Sequence, residues 1–194
     1  MTIDIHSSPP FLADNIALDL LNTLAIIDGH EVDFLQTEHD AIDWLSKAGI
    51  ADAAQFQQKK TRILPYMKEV RALLKEQLIA LKDGRLPDIA RLNHFLSECP
   101  LITEIYITAD HQRVLRDRSI GSEPQSMLYP ILKMTAELIT REDLSLIKQC
   151  EHDDCILWFE DKTKSHKRRW CSMAVCGNRH KVAQFRKRKE SATL

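Results

Sequence analysis

Four of the five cysteines in this 194-residue chain fall in its last quarter as two C-x4-C pairs, Cys150 with Cys155 and Cys171 with Cys176, with 15 residues between the pairs. That spacing constrains folding more than anything else in the sequence. The segment that carries it spans roughly 45 residues, too few to build a good apolar core unaided. Four thiolates around a tetrahedral metal remedy the shortage and leave no open coordination position, which is the structural arrangement. The expectation is one structural Zn2+ per chain, held by Cys150, Cys155, Cys171 and Cys176. Spacing alone leaves open disulfides, or a mixed set drawing on His152, His166 or His180. Cys99 stands apart in an amphipathic stretch and reads as a buried thiol.

Charge divides along the chain. Residues 162–194 hold 11 Lys or Arg and one acidic residue, a net of +10, whereas the other residues carry 16 basic and 27 acidic side chains, a net of -11. A rigid metal knot beside cations predicts a grip on a polyanion. The candidate contacts are Lys167, Arg168, Arg169, Arg179, His180, Lys181, Gln184, Arg186, Lys187, Arg188 and Lys189. Some of these cations must balance the zinc centre itself, since four thiolates and one Zn2+ carry about -2; Arg168, Arg169 and Arg179 are placed to do so. Asn178 is expected to cap a short terminal helix. Val182 and Phe185 are expected to pin one face of that helix to the zinc site, with Arg179, Arg186 and Lys189 on another side. Gly177 suits a tight turn in which backbone N–H groups approach the thiolates. CILWF reads as a buried strand, with Trp158 or Phe159 covering the metal and Trp170 as a second apolar shield.

The preceding residues read mostly as helix. FLADNIALDLLNTLAI shows helical spacing through Ile16, Leu20, Leu21 and Leu24, and Gly29 follows it. Thr37 and Asp40 have capping-box spacing before AIDWLSKAG. Another helical pattern starts at Asp52, with Gln55 three residues on, and Pro65 predicts a break near Leu64. YMKEVRALLKEQLIALKDG is strongly amphipathic through Val70, Leu73, Leu74, Leu78 and Leu81. LPDIARLNHFLSEC is a shorter helix with Asp88 near its first turn. LITEIYIT and HQRVLRDRSIG alternate and predict a β-hairpin. SMLYPILKMTAELITRED returns to helix, with Pro130 in its first turn.

The fold class expected is α+β: a mainly helical N-terminal body with a small β-hairpin over residues 1–145, then a four-cysteine zinc module with a short terminal helix over residues 146–194. Metal removal is expected to unfold the last 45 or so residues and spare the body. In the body, Asp19, Asn22 and Arg71 are polar positions among apolar ones. Asp19 and Arg71 suit an internal ion pair, and the three together suit a small-molecule effector site. No apolar run of 18 residues exists, so no ordinary membrane span is expected. MTIDIHSSPP lacks a basic flank and apolar core, and a cytoplasmic protein is expected. No phosphate-binding glycine loop, H-E-x-x-H or G-x-S-x-G occurs, and the reading is not an enzyme.

The runs RRWCSMAVCGNR (Arg168–Arg179) and the pair Cys150/Cys155 resemble the CGNR zinc-finger family. The resemblance implies a four-cysteine zinc site at Cys150, Cys155, Cys171 and Cys176. The N-terminal part, through DLLNT at Asp19–Thr23 and the VRALL and LNHFL runs, resembles the ABATE domain, a stress-response regulatory module. Ala72 departs from the acidic residue common at that place. The resemblance covers almost the whole chain and implies a bacterial transcriptional regulator: double-stranded DNA as partner, a nucleoid location when bound, and a body that senses an effector or forms a homodimer. RNA binding, or a protein-interaction adaptor, is the alternative.

Overall fold

The computed structural model describes residues 8–50, 62–121 and 124–191. The helix expected to start at Asp52 lies outside the described residues. The class is α+β as expected. The chain forms two compact units, one made of residues 1–36 with 141–194 and the other of Thr37–Thr140. Sequence places one division near residue 145. The compact units are cut near there, but also at residue 36, and the first segment groups with the last.

In the discontinuous unit, α1 spans Ile16–Leu21, and the Asn15 side chain caps it by accepting from the Ala17 amide. The long helix expected through Leu24 does not form. Leu24–Ile27 is instead strand β1, paired antiparallel with β2 (His30–Asp33). Asp28 and Gly29 both have positive φ, 50° and 82°, which is the two-residue turn that matches strand twist. The helix stops because its polar residues bond elsewhere. Thr23 Oγ1 donates back to the Leu20 carbonyl, and the Thr23 carbonyl accepts from Phe34. Asn22 reaches a backbone 136 residues away, donating Nδ2 to Trp158 O and accepting from Trp158 N, both at 2.8 Å. The Trp158 it holds belongs to β6 (Trp158–Glu160), which pairs with β5 (Ile147–Gln149) and packs on α1.

The core of this unit joins both segments. Ala25 and Ile27 from β1 pack with Cys150, Leu157, Phe159, Cys171 and Cys176, and Val32, Phe34, Trp170 and Val175 close around them. The first hairpin thus supplies apolar surface that the C-terminal segment lacks. Asn22→Leu keeps the volume but orphans two buried backbone groups. A loss of about 2–4 kcal/mol is expected in denaturant titration; a change below about 0.5 kcal/mol would remove the peptide-mimic role from Asn22.

In the continuous unit, α2 (Glu38–Lys47) begins with the expected reciprocal capping box of Thr37 and Asp40. The next helix, α3, spans Leu64–Lys82. A helix boundary falls at Leu64 as Pro65 predicts, with the proline in the first turn, where no amide is needed. Glu38 Oε2 receives the neighbouring Ile63 and Leu64 amides at 2.9 and 3.1 Å. Val70, Leu73, Leu74 and Leu78 are buried as the spacing predicts. Asp88 caps α4 (Ile89–Ser97) by accepting from Ala90 N. Cys99 is buried, and burial pushes its thiol up. Strands β3 (Leu101–Ile107) and β4 (Arg113–Ser119) form the expected hairpin. A 3-10 turn leads into α5 (Tyr129–Ile139), which packs on α3 and α4 with Pro130 in its first turn.

Candidate metal centre and basic helix

The first cysteine pair sits on the turn between β5 and β6. Cys150 N–H donates to Leu157 O at 2.8 Å, and Cys155 N–H donates to His152 O at 2.9 Å, which folds C-x4-C back on itself. The second pair lies at the entry to the terminal helix. Met173–Gly177 is a π-turn that runs directly into α6 (Asn178–Ser191). The four sulfurs lie within 4.8 Å of one another, with Cys155–Cys171 at 3.8 Å and Cys171–Cys176 at 3.6 Å. A tetrahedron of Zn–S bonds of about 2.3 Å sets sulfurs about 3.8 Å apart, so the cluster fits one Zn2+. Hydrogen bonds among the four sulfurs divide them: bonding from Cys155, Cys171 and Cys176 holds the Cys150 thiol well below its ordinary range, and Cys155 is lowered too, with Cys150 opposing and Cys171 and Cys176 prevailing. Bonding to the neighbouring sulfurs, reinforced by burial, pushes the Cys171 and Cys176 thiols up. A bound dication reverses that by stabilising all four thiolates.

The histidines serve elsewhere. His152 Nδ1 accepts from Asp154 N, the His166 ring lies 3.3 Å from Asp161 O, and His180 stacks on Trp170 with centroids 4.7 Å apart. Phe159 is the apolar cover in the cysteine cluster, and Trp170 packs at its edge. Gly177 donates its amide to Ser172 O, not to a sulfur. Its missing side chain serves packing: a Cβ there would lie 2.4 Å from Met173 Sδ and 3.1 Å from the Trp170 ring. Asn178 has helical dihedrals and donates its side chain back to Ala174 O, so it continues the turn and does not cap a helix start.

Arg168 is the cation that the centre uses. Its guanidinium donates to Leu12 O (2.7 Å), Cys171 O (2.6 Å), Trp170 O (3.0 Å) and Asp14 Oδ2 (2.6 Å). It also lies over the Phe159 ring at 4.2 Å. The loop before it is shaped by Asp161, which is fully buried and bonded to Lys148 Nζ, Thr163 and the Arg168 amide. Burial alone would raise that carboxyl, but Lys148, Thr163 and the two amides outweigh it and hold it well below the usual range. Glu160 is buried beside it and binds Asn15 and Arg141. Nothing in the sequence singles out these two acids: Asn15 lies 145 residues from Glu160, and the partners of Asp161, at 2, 7 and 13 residues, follow no regular spacing.

The remaining cations are less committed. Lys167 is exposed; Arg169 is exposed but paired with Glu151 at 2.6 Å. On α6, Arg179, Lys181, Gln184, Arg186, Lys187, Arg188 and Lys189 face solvent, and His180 is half-buried. Val182 and Phe185 do not pin the helix: they are 50% and 66% exposed. The helix is anchored through its first turns, by Cys176, Gly177 and the His180–Trp170 stack. Arg179 and Arg186 share an open depression of about 630 Å³ with His152, Val175, Asn178 and Val182.

Asp19, Asn22 and Arg71 are divided between the two compact units. Arg71 is buried on α3 in the continuous unit, while Asp19 and Asn22 belong to the other. Asp19 Oδ1 accepts from the Leu12 and Ala13 amides at 2.9 Å. Burial nonetheless pushes its carboxyl up to about 6, against the pull of those two amides. A native value above the unfolded one means stability is fullest below about pH 4 and falls as pH rises through 6, by about 2–3 kcal/mol. Asp19→Asn keeps the acceptor and removes the charge. Its stability advantage over wild type is expected to grow between pH 5 and 7; a pH-independent difference in paired thermal scans would contradict this.

Two family models match the chain. One, described as "CGNR zinc finger", matches residues 147–189; the other, ABATE, described as "Putative stress-induced transcription regulator", matches residues 14–142. Together they agree with the arrangement and the zinc site read from the residues.

Proposed function

The chain belongs to the ABATE family and carries a CGNR zinc finger, and from that premise we propose that it is a DNA-binding transcriptional regulator. The observation that supports this best is α6, a helix exposed along its cationic residues and fixed at one end to a closed four-cysteine knot. Residues 146–194 are the DNA-contacting part in this reading, and residues 1–145 the sensing part, with an effector still to be found. The contacts are Lys167, Arg179, Lys181, Gln184, Arg186, Lys187, Arg188 and Lys189, with His180 at the edge and Arg169 once it leaves Glu151. Arg168 drops out of the set because its donors are used internally. One family description names a zinc finger and the other a transcription regulator, which favours this reading over an enzyme. No described helix is long and apolar enough to cross a membrane; the proposed location is the cytoplasm, at the nucleoid when DNA is bound.

Affinity for duplex DNA is expected to fall linearly in log–log salt titration, with a slope of about -0.9 per neutralised phosphate. Arg179→Ala and Arg186→Ala should each reduce the slope by about one, whereas a neutral exposed change such as Gln184→Ala should leave it unaltered if Gln184 touches bases. Failure to bind any duplex at low salt would sink the reading. Structured RNA that outcompetes DNA would move it to the RNA alternative.

A further inference from the structure

The β3–β4 hairpin is exposed along nearly its whole length, and among the described residues its strands pair only with each other. A two-stranded ribbon is marginal in water on its own. Cross-strand pairing places Leu101, Thr103, Ile105 and Ile107 on one face with Ser119, Asp117, Leu115 and Arg113 opposite them. Ile105 and Leu115 sit side by side at the centre, 75% and 73% exposed, with Ile107 at 61% and Leu101 at 39%. Such a patch offers on the order of 400–500 Å², at the upper end for a monomer and typical of an interaction site. The reverse face satisfies itself: Glu104 binds Arg116 and Arg118, and Arg116 lies 3.7 Å from the Tyr106 ring centroid.

Charge on the apolar face is arranged in a self-matching way. Arg113 stands one pair from Ile105–Leu115 toward the turn, and Asp117 one pair away toward the base. Arg113 has no bonded partner among the described residues. Asp117 accepts from Thr103 at 2.8 Å and lies 3.6 Å from Lys133, which leaves room for another donor. A two-fold axis running across the strands, between two such faces, keeps β4 over β4 and reverses its direction. The Ile105–Leu115 level then meets its own copy, and each Arg113 comes opposite an Asp117. Sheets stacked this way lie about 10 Å apart, within reach of an arginine and an aspartate.

We propose that this hairpin face is a homodimer interface, packing Ile105 and Leu115 against the same residues of a second copy and pairing each Arg113 with Asp117 of the partner subunit. Self-complementarity is what a two-fold interface requires. A nucleic acid would want more than one cation on the face, and the hairpin itself offers here one cation, Arg113, and one acid, Asp117, around an aliphatic centre. Two such faces bury on the order of 1,000 Å² in total, near the lower limit for a specific interface, so the dimer is weak and depends on concentration.

Sedimentation velocity on the full zinc-loaded chain, without DNA, tests this apart from the DNA reading. The mass is expected to rise with concentration from 22.4 kDa toward twice that value. Leu115→Glu should give monomer throughout, and Arg113→Asp should weaken association about tenfold or more. The double variant Arg113→Asp with Asp117→Arg should recover association, with circular dichroism and zinc content confirming that each variant folds. Monomer at every concentration overturns the proposal. So does a dimer indifferent to Leu115→Glu, or a double variant no better than Arg113→Asp. A monomer whose hairpin face resists hydrogen exchange would mean that the chain covers this face itself, and also overturns it.

Discussion

Chelating the zinc, or replacing Cys171 with Ser, is expected to unfold residues 8–36 together with 141–191, and not the C-terminal segment alone. The reason is the shared core. Ala25 and Ile27 pack directly in the cluster that contains Cys150, Cys171 and Cys176. Structural zinc contributes about 10–16 kcal/mol of apparent binding free energy, as large as the whole stability of an ordinary domain. Losing it removes the centre on which both segments condense. The continuous unit has its own core of Val70, Leu73, Leu74, Leu78, Ile131 and Leu132, which does not involve the metal. Hydrogen exchange read by mass spectrometry should therefore show Leu24–Asp33 and Ile147–Glu160 losing protection together, while Leu64–Lys82 and Tyr129–Ile139 keep theirs. Persistent protection of Leu24–Asp33 after complete zinc removal would refute the shared core.

The second large effect concerns Arg168. Arg168→Met should destabilise the discontinuous unit by about 3 kcal/mol, because it orphans the carbonyls of Leu12, Trp170 and Cys171 and strips Asp14 of its partner. Arg168→Lys should recover little, since one ammonium cannot span four acceptors and lie flat on Phe159. Lys167→Met, one residue away and exposed, is the contrast and should stay within about 0.5 kcal/mol. Urea titrations of zinc-saturated protein distinguish the two. Equal, small effects would return Arg168 to the pool of surface cations.

The pattern of what sequence reveals follows from the range of the interactions. The zinc ligands were legible because C-x4-C spacing is local and the two pairs complete a tetrahedron. The capping box at Thr37, the cap at Asp88 and the buried stripe on α3 were legible for the same reason: each is settled within a few residues. The spacing predicts too long a first helix because Leu24–Ile27 continues its apolar pattern. Asn22 and Thr23 end it through bonds to Trp158 and Phe34, and the Asp28–Gly29 turn then folds the strand back. Val182 and Phe185 have the spacing of a buried stripe but meet no partner to bury them. Spacing reports which residues share a face, and not whether anything covers it. The clamp of Arg168, Asp14 and Asp161 joins positions up to 154 residues apart and leaves no local trace.

The tie between Asn22 and Trp158 has a consequence for synthesis. A ribosome releases the chain from its amino end, and domains commonly close as soon as their residues emerge. Here residues 8–36 cannot reach their mates until residues 141–191 have been translated, whereas residues 37–140 are all available beforehand. Residues 37–140 therefore have a head start, and the two segments that flank them meet last, when metal arrives to fasten them.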